Sequence, residues 1–250
     1  MIWFSIALVI KNKLFFASAF LFLISCSETK DAALENFVIE NDVFESGKSL
    51  IDLSFGLHEL ETQVPEQSIL LVGVHGNNSR GYEWVYPLQK LNNDKNLVSF
   101  FRWDDDSCPG PSIISLLDLI KDKLVQNPNI NKVILVGHSY GGLLVTAFSK
   151  SWDVEVPLQI HSIAGPLKGL GPISSFCNYT PPTSVKAGIT LHQWRTIQAI
   201  DGAFKDLNYD PQVVAIKDSS VTRLPETYKG NKLGHNWSIS WVADEINKTK

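Results

Sequence analysis

The chain has 250 residues, of which 44% are hydrophobic and 19% are charged, a balance typical of a globular protein rather than a disordered one. Its net charge of −4 and the lack of any basic run argue against a nucleic-acid partner. At this length we expect one α/β domain with a sizeable core.

The N-terminal 25 residues have the pattern of an export signal. Lys11 and Lys13 precede an apolar run over residues 14–24, and a small residue, Ser25, follows it. A basic segment, a short apolar segment and a small residue before the cleavage site are typical of secretory signal peptides. An uncleaved membrane anchor remains the alternative interpretation.

The end of this segment, Leu23-Ile24-Ser25-Cys26, resembles the lipobox of bacterial lipoproteins. The resemblance implies that Cys26 is the lipidated first residue of the mature chain and that the protein is attached to a membrane of the cell envelope. Ser27 implies, through the sorting pattern of that family, the outer membrane. We expect a short polar tether over residues 26–35 and the folded domain over residues 36–250.

From there the hydrophobic pattern predicts strands that alternate with helices. The near-continuous apolar strands favour a largely parallel sheet covered on both faces. Residues 165–188 hold four Pro and four Gly, so we expect irregular structure there, forming a small cap or rim. Two strands are predicted within residues 36–60, around residues 45–48. The later predicted strands are 69–74, 97–103, 132–136, 157–163, 189–197 and 212–216. The predicted helices are 81–91, broken late by Pro87, then 112–126 and 236–246.

One motif carries chemistry. Gly137-His138-Ser139-Tyr140-Gly141 follows the apolar run Val-Ile-Leu-Val and precedes a helical pattern, so G-x-S-x-G lies in the strand–turn–helix context that it requires. In such a turn Gly137 and Gly141 avoid collisions with the neighbouring helix and strand. The turn presents the hydroxyl of Ser139 at the carboxyl edge of the sheet.

A serine nucleophile needs a base, and the base needs an acid to orient it. His235 lies in a loop after every predicted strand, which makes it the favoured base, whereas the side chain of His138 is expected to point away. The other histidines lie in or beside strands: His58, His75, His161 and His192. For the acid, Asp201 follows a predicted strand directly and is preferred, while Asp206, Asp210 and Asp218 remain open.

An oxyanion hole needs two main-chain N–H donors. Tyr140, which follows the serine, is one candidate, and Asn77, after His75-Gly76 at the end of a strand, is the other. Gly76 permits close approach of main chain and substrate.

Together these segments resemble the α/β-hydrolase fold superfamily over about residues 65–250. The resemblance rests on His75-Gly76, the turn at residues 137–141, Asp201-Gly202 and Gly234-His235. It implies an α/β-hydrolase fold and an esterase- or lipase-like serine hydrolase, with Ser139, His235 and Asp201 as the triad, no cofactor and no metal. The short segment before the triad acid leaves little room for a large lid.

The predicted function is hydrolysis of ester or thioester bonds in a small-molecule or lipid acyl substrate. Alternatives are an amidase or peptidase with the same triad, and a lipoprotein that uses the fold only for binding. Cys108 and Cys177 lie in loops expected at the same edge of the sheet, so in an oxidising compartment they are candidates for a disulfide.

Overall fold

The computed structural model describes residues 32–40 and 42–248, with no side chains described at 172–174. Strands and helices alternate along this part of the chain. The helices are α1 Val43–Ile51, α2 Tyr82–Leu91, α3 Pro109–Gln126, α4 Tyr140–Phe148, α5 Gly171–Phe176 and α6 Ser238–Lys248. The strands are β1 Gly56–Glu59, β2 Ile69–Val74, β3 Asn96–Arg102, β4 Lys132–His138, β5 Leu158–Ile163, β6 Ile189–Arg195, β7 Ser220–Arg223, β8 Thr227–Tyr228 and β9 Asn231–Lys232.

Seven of the described strands form one sheet in the order β1-β3-β2-β4-β5-β6-β7. β1 is antiparallel to β3, and the remaining neighbours are parallel. Since parallel strands end at a common edge, the loops that follow β2, β3, β4 and β6 meet there. Strand order, parallel pairing and the turn after β4 give the α/β-hydrolase fold, which confirms the predicted fold class.

Helices cover both faces because alternate residues of each central strand point in opposite directions. In β2, Leu70 and Val72 belong to a core with α3 and α4, whereas Leu71 belongs to a second core with α1, α2 and α6. All three are fully buried. The strand is therefore apolar on both faces, as the sequence pattern predicted.

The structure corrects four predicted elements. The two strands predicted around residues 45–48 are wrong, because residues 43–51 form α1. Within the described part of residues 36–60 the structure has one strand, β1. The strand predicted at residues 212–216 is also wrong, and β7 at Ser220–Arg223 takes that place in the sheet. Helix α2 continues past Pro87, because buried contacts of Leu88 and Leu91 outweigh the missing hydrogen bond.

The predicted tether is too long at its C-terminal end. Ala32 and Leu34 are buried, and the N–H of Leu34 donates to the carbonyl of Leu60 at 2.8 Å. The export signal, Cys26 and most of the tether lie outside the described residues. No helix among the described residues is both long and apolar enough to cross a membrane.

Candidate active site

Ser139 lies in the turn between β4 and α4, at the carboxyl edge of the sheet. Its backbone has φ 53° and ψ −121°, outside the regions that a serine ordinarily occupies. The N–H of Ser139 donates to the carbonyl of Ile163 in the next strand at 2.9 Å, which ties the turn to β5. A strained turn held by a packed sheet is typical of functional sites, because the surroundings maintain it.

Close packing around the turn explains its two glycines. A Cβ atom on Gly137 would lie 2.4 Å from the carbonyl oxygen of Gly141, and a Cβ on Gly141 would lie 2.2 Å from that of Val74. Neither distance can be accommodated without moving main chain. The prediction that these glycines avoid collisions with a helix and a strand is confirmed.

The structure brings His235 and Asp201 together across 34 residues of sequence. Nδ1 of His235 lies 2.9 Å from each carboxylate oxygen of Asp201, and Asp201 is completely buried. Because Nδ1 donates to the carboxylate, Nε2 is the nitrogen left for chemistry in the cleft. No hydrogen bond joins the Ser139 hydroxyl to His235 in the described structure, but both line the same cavities. Such contacts are often long in enzymes without bound substrate.

Hydrogen bonds keep the carboxylate of Asp201 charged in its buried position. Burial alone would raise its pKa, but the hydrogen bond and charge of His235 and the donors Thr196 and Ala203 outweigh burial and lower it. The hydroxyl of Thr196 donates to Oδ2, and the N–H of Ala203 donates to Oδ1 at 2.8 Å. Asp201 is therefore suited to hold the imidazole in one tautomer.

The other three acids are placed elsewhere. Asp206 and Asp218 are exposed, and Asp210 pairs with Arg223 at 3.1 Å. None of them contacts His235 among the interactions that the structure gives.

His138 was expected to point away from the site, and this was wrong. Its ring lies 4.6 Å from the ring of His235, and its Nε2 lies 3.1 Å from the main-chain carbonyl of His235. Burial and the nearby His235 hold the pKa of His138 well below its usual range. A neutral His138 therefore donates from Nε2 and fixes the loop that carries His235.

His75 supports the loop that follows β2. Its Nε2 faces two donors, Arg102 Nη1 at 3.0 Å and the N–H of Trp103 at 3.3 Å, so the proton is on Nδ1, which donates to the carbonyl of Gly76 at 2.9 Å. Burial lowers the pKa of His75 to about 4, which keeps this pattern of donors intact at neutral pH. His75 thus positions main chain rather than taking part in proton transfer.

Gly76 brings that main chain against the serine. A Cβ on Gly76 would lie 2.8 Å from Cβ of Ser139. The next residue, Asn77, is held by its side-chain amide, which donates to the carbonyl of Asp105 at 2.8 Å. Tyr140 is the first residue of α4, where main-chain N–H groups lack partners within the helix. Asn77 lines the same cavities as Ser139, and Tyr140 directly follows the serine, so their N–H groups are the candidates for an oxyanion hole.

Two cavities meet at Ser139 and His235. The larger, about 610 Å³, extends past Tyr140 toward residues 105–108, and its apolar lining includes Leu170, Phe176 and Phe204. The smaller, about 120 Å³, extends toward the start of α2 and is lined mainly by polar side chains, among them Ser79 and Glu83.

The segment predicted as a cap or rim contributes to the larger cavity. It contains α5, and Cys177, directly after that helix, forms a disulfide with Cys108 across a Cα–Cα distance of 5.4 Å. Both cysteines line the cavity. The bridge therefore links the rim to the loop that follows β3.

Sequence reasoning missed Thr196 and Glu83. Thr196 could have been noticed as a hydroxyl residue directly after a strand, but its contact with Asp201 depends on how the loop folds back. Glu83 reads as an ordinary acid in the first turn of a helix, and only tertiary packing buries it beside Ser139 and His235. Among the described residues no cluster of His, Cys, Asp and Glu is arranged to hold a metal ion.

No protein-family model and no curated protein matches the chain. Among solved structures, Est1E from Butyrivibrio proteoclasticus is similar over 74% of this chain and 88% of its own, with 14% identity and a TM-score of 0.49. An α/β serine hydrolase without a lid from Xanthomonas campestris is similar over 77% of this chain and 85% of its own, with 13% identity and a TM-score of 0.49. At this level of similarity, the fold is defined by the chain's own strand order and by its turn at residues 137–141.

Proposed function

We propose that the protein is a serine hydrolase that cleaves ester or thioester bonds through an acyl-enzyme on Ser139. The observation that carries the proposal is the strained Ser139 in a cleft that it shares with the His235–Asp201 pair. A surface serine in an ordinary turn needs neither the strained backbone nor a buried carboxylate oriented on a neighbouring imidazole.

In the proposed reaction Oγ of Ser139 attacks the carbonyl carbon, and its proton passes to Nε2 of His235. The tetrahedral intermediate then collapses, the bond to the leaving group breaks, and Nε2 returns the proton to the departing oxygen or sulfur. A water molecule attacks the acyl-enzyme by the same route and releases the acid. Asp201 stays ionised and stabilises the imidazolium that forms in each half-reaction.

The negative charge that develops on the carbonyl oxygen needs donors that are already in place. The N–H groups of Asn77 and Tyr140 are the proposed oxyanion hole, because Asn77 lines the cleft with Ser139 and is held by Asp105, and Tyr140 follows the serine at the start of α4. Removing one such donor typically costs about 10²–10³ in kcat.

The test is labelling with a fluorophosphonate probe followed by rates on matched ester and amide substrates. We expect the wild type to be labelled at Ser139, and Ser139→Ala to lose the label and about 10³-fold or more in kcat. Absence of labelling in a folded wild type would favour a binding protein. Faster cleavage of the amide than of its matched ester would favour an amidase or peptidase.

We further propose that the domain is anchored in the cell envelope by lipid on Cys26, at the outer membrane. The lipobox-like sequence and Ser27 support this. Two or more acyl chains give stable attachment, whereas one is marginal. Metabolic labelling with a palmitate analogue tests it, and labelling that persists unchanged in Cys26→Ala contradicts it.

A further inference from the structure

The small cavity beside Ser139 differs in character from the large one. Its lining includes the side chains of Ser79, Arg80, Tyr82, Glu83 and Asn236, all of which can form hydrogen bonds. At about 120 Å³, against about 610 Å³ for the larger cavity, it admits only a small group.

Glu83 is the unusual residue in this cavity. It is 8% exposed, and its Oε1 accepts a hydrogen bond from the hydroxyl of Ser79. Its Oε2 is buried without any hydrogen-bond partner in the described structure. A buried carboxyl oxygen without a donor is costly, so most such groups have a partner.

Glu83 lines the small cavity but its Oε2 is not exposed there, so a donor in the cavity would supply the missing hydrogen bond once the carboxyl turns. The terminal torsion of a glutamate side chain is soft, so its carboxyl group can turn toward such a donor at small cost. Burial raises the pKa of Glu83, because the ionised carboxylate is poorly solvated there.

The charges around the cavity decide what kind of donor fits. Glu83 disfavours an anionic group, while Arg80, at the same cavity, disfavours a cationic one. A hydroxyl group is neutral and can both donate to and accept from a carboxyl group, in whichever protonation state it is.

We propose that the small cavity binds a short hydroxyl-bearing arm of the substrate and that Glu83 is the residue that selects for the hydroxyl. The larger apolar cavity then takes the other arm of the ester. This inference rests on the proposed ester hydrolysis at Ser139 and names the substrate class of that site as esters with a short hydroxylated arm.

The experiment compares pairs of esters that differ by one hydroxyl. The first pair is hexyl butyrate and hexyl 3-hydroxybutyrate; the second, with the hydroxyl on the alcohol, is butyl hexanoate and 2-hydroxybutyl hexanoate. We expect wild-type kcat/KM to favour the hydroxylated member of one pair by about tenfold, because a site that pairs with a hydroxyl discriminates against its absence. Glu83→Leu should bring that ratio to about one. Glu83→Gln replaces the carboxyl group with an amide that still forms hydrogen bonds, so it should give an intermediate ratio.

Phe176→Ala, in the larger cavity, is the matched control, and we expect it to lower the rates for both members of a pair together, with their ratio unchanged. Near-ultraviolet circular dichroism and fluorophosphonate labelling check the folding of each variant; if Glu83→Leu does not fold, the ratio in Glu83→Gln decides.

Ratios near one for the wild type in both pairs, or a ratio that neither Glu83 variant lowers, would overturn the subsite alone. Preference for hexyl 3-aminobutyrate over its hydroxyl counterpart would overturn the choice of a neutral arm. A folded wild type that is not labelled at Ser139 and cleaves no ester overturns the proposed function and the subsite together.

Discussion

Two buried carboxyl groups near His235 differ in the hydrogen-bond donors that the fold provides to them. Asp201, after β6, is met by His235, Thr196 and Ala203, whereas Oε2 of Glu83, in the first turn of α2, is met by no donor in the described structure. The pKa of Asp201 is accordingly lowered despite burial, and that of Glu83 is raised by burial. Burial alone therefore does not decide the direction in which the pKa of a carboxyl group shifts; the donors that reach it also do.

This difference suits the two residues to different roles. A carboxylate whose hydrogen bonds are complete can orient an imidazole and carry a fixed negative charge. A carboxyl group with an unfilled hydrogen bond is suited to meet a ligand. Exchanging each acid for its amide separates these roles.

The largest effect is expected from Asp201→Asn. The amide removes the negative charge and presents its own N–H₂ group or a neutral oxygen to Nδ1 of His235, so kcat on a simple ester should fall by about 10⁴-fold. The exposed Asp206→Asn serves as the control and should stay within about twofold of wild type. A large loss at Asp206 with little at Asp201 would reverse the assignment of the acid.

A smaller effect should follow removal of one donor to Asp201. Thr196→Val keeps the shape of the side chain but deletes its hydroxyl, so the pKa of Asp201 should rise and kcat should fall by about tenfold. ¹³C NMR titration of the Asp201 carboxyl, together with steady-state rates, measures both. An unchanged titration would mean that the Thr196 contact does not help to hold the charge.

The smallest effect concerns stability and comes from Glu83. Because folding raises its pKa above the usual 4.5, the folded protein binds more protons than the unfolded chain above that pH, and stability falls as pH rises through the folded pKa. Glu83→Gln cannot titrate, so it should lack this fall. The difference in free energy of unfolding, variant minus wild type, should therefore grow from pH 5 to pH 8.

Urea unfolding at the two pH values measures that difference. The corresponding contribution of Asp201 has the opposite sign. Its lowered pKa stabilises the folded protein above the unfolded value, and this stabilisation is lost as pH falls through the folded pKa. A Glu83→Gln difference that shrinks toward pH 8 would contradict the raised pKa.

Much of the fold was predictable because its signals are local. Strands β2 and β4 are almost wholly buried, and their sequences are near-continuous apolar runs, whereas β3, β5 and β6 are largely buried but include polar residues. Strand β7 carries no such run, since three of its four residues are exposed, and the sequence therefore pointed to residues 212–216 instead. Most of helix α1 was mistaken for the connection between two strands, because its amphipathic pattern is short and includes a glycine, Gly47, inside the helix.

The sequence by itself determined the turn at residues 137–141, because strand, glycines and serine lie within ten residues, whereas the Val74 carbonyl that excludes a larger side chain at Gly141 is distant in the chain. It also ranked Asp201 first and selected His235, through chain order and position after a strand. Only the tertiary structure brought the two into contact, turned His138 toward the site and buried Glu83 beside Ser139. Those features depend on segments that are distant in the chain and meet at one edge of the sheet. There the donors around each carboxyl group help to set its pKa and the role for which it is suited.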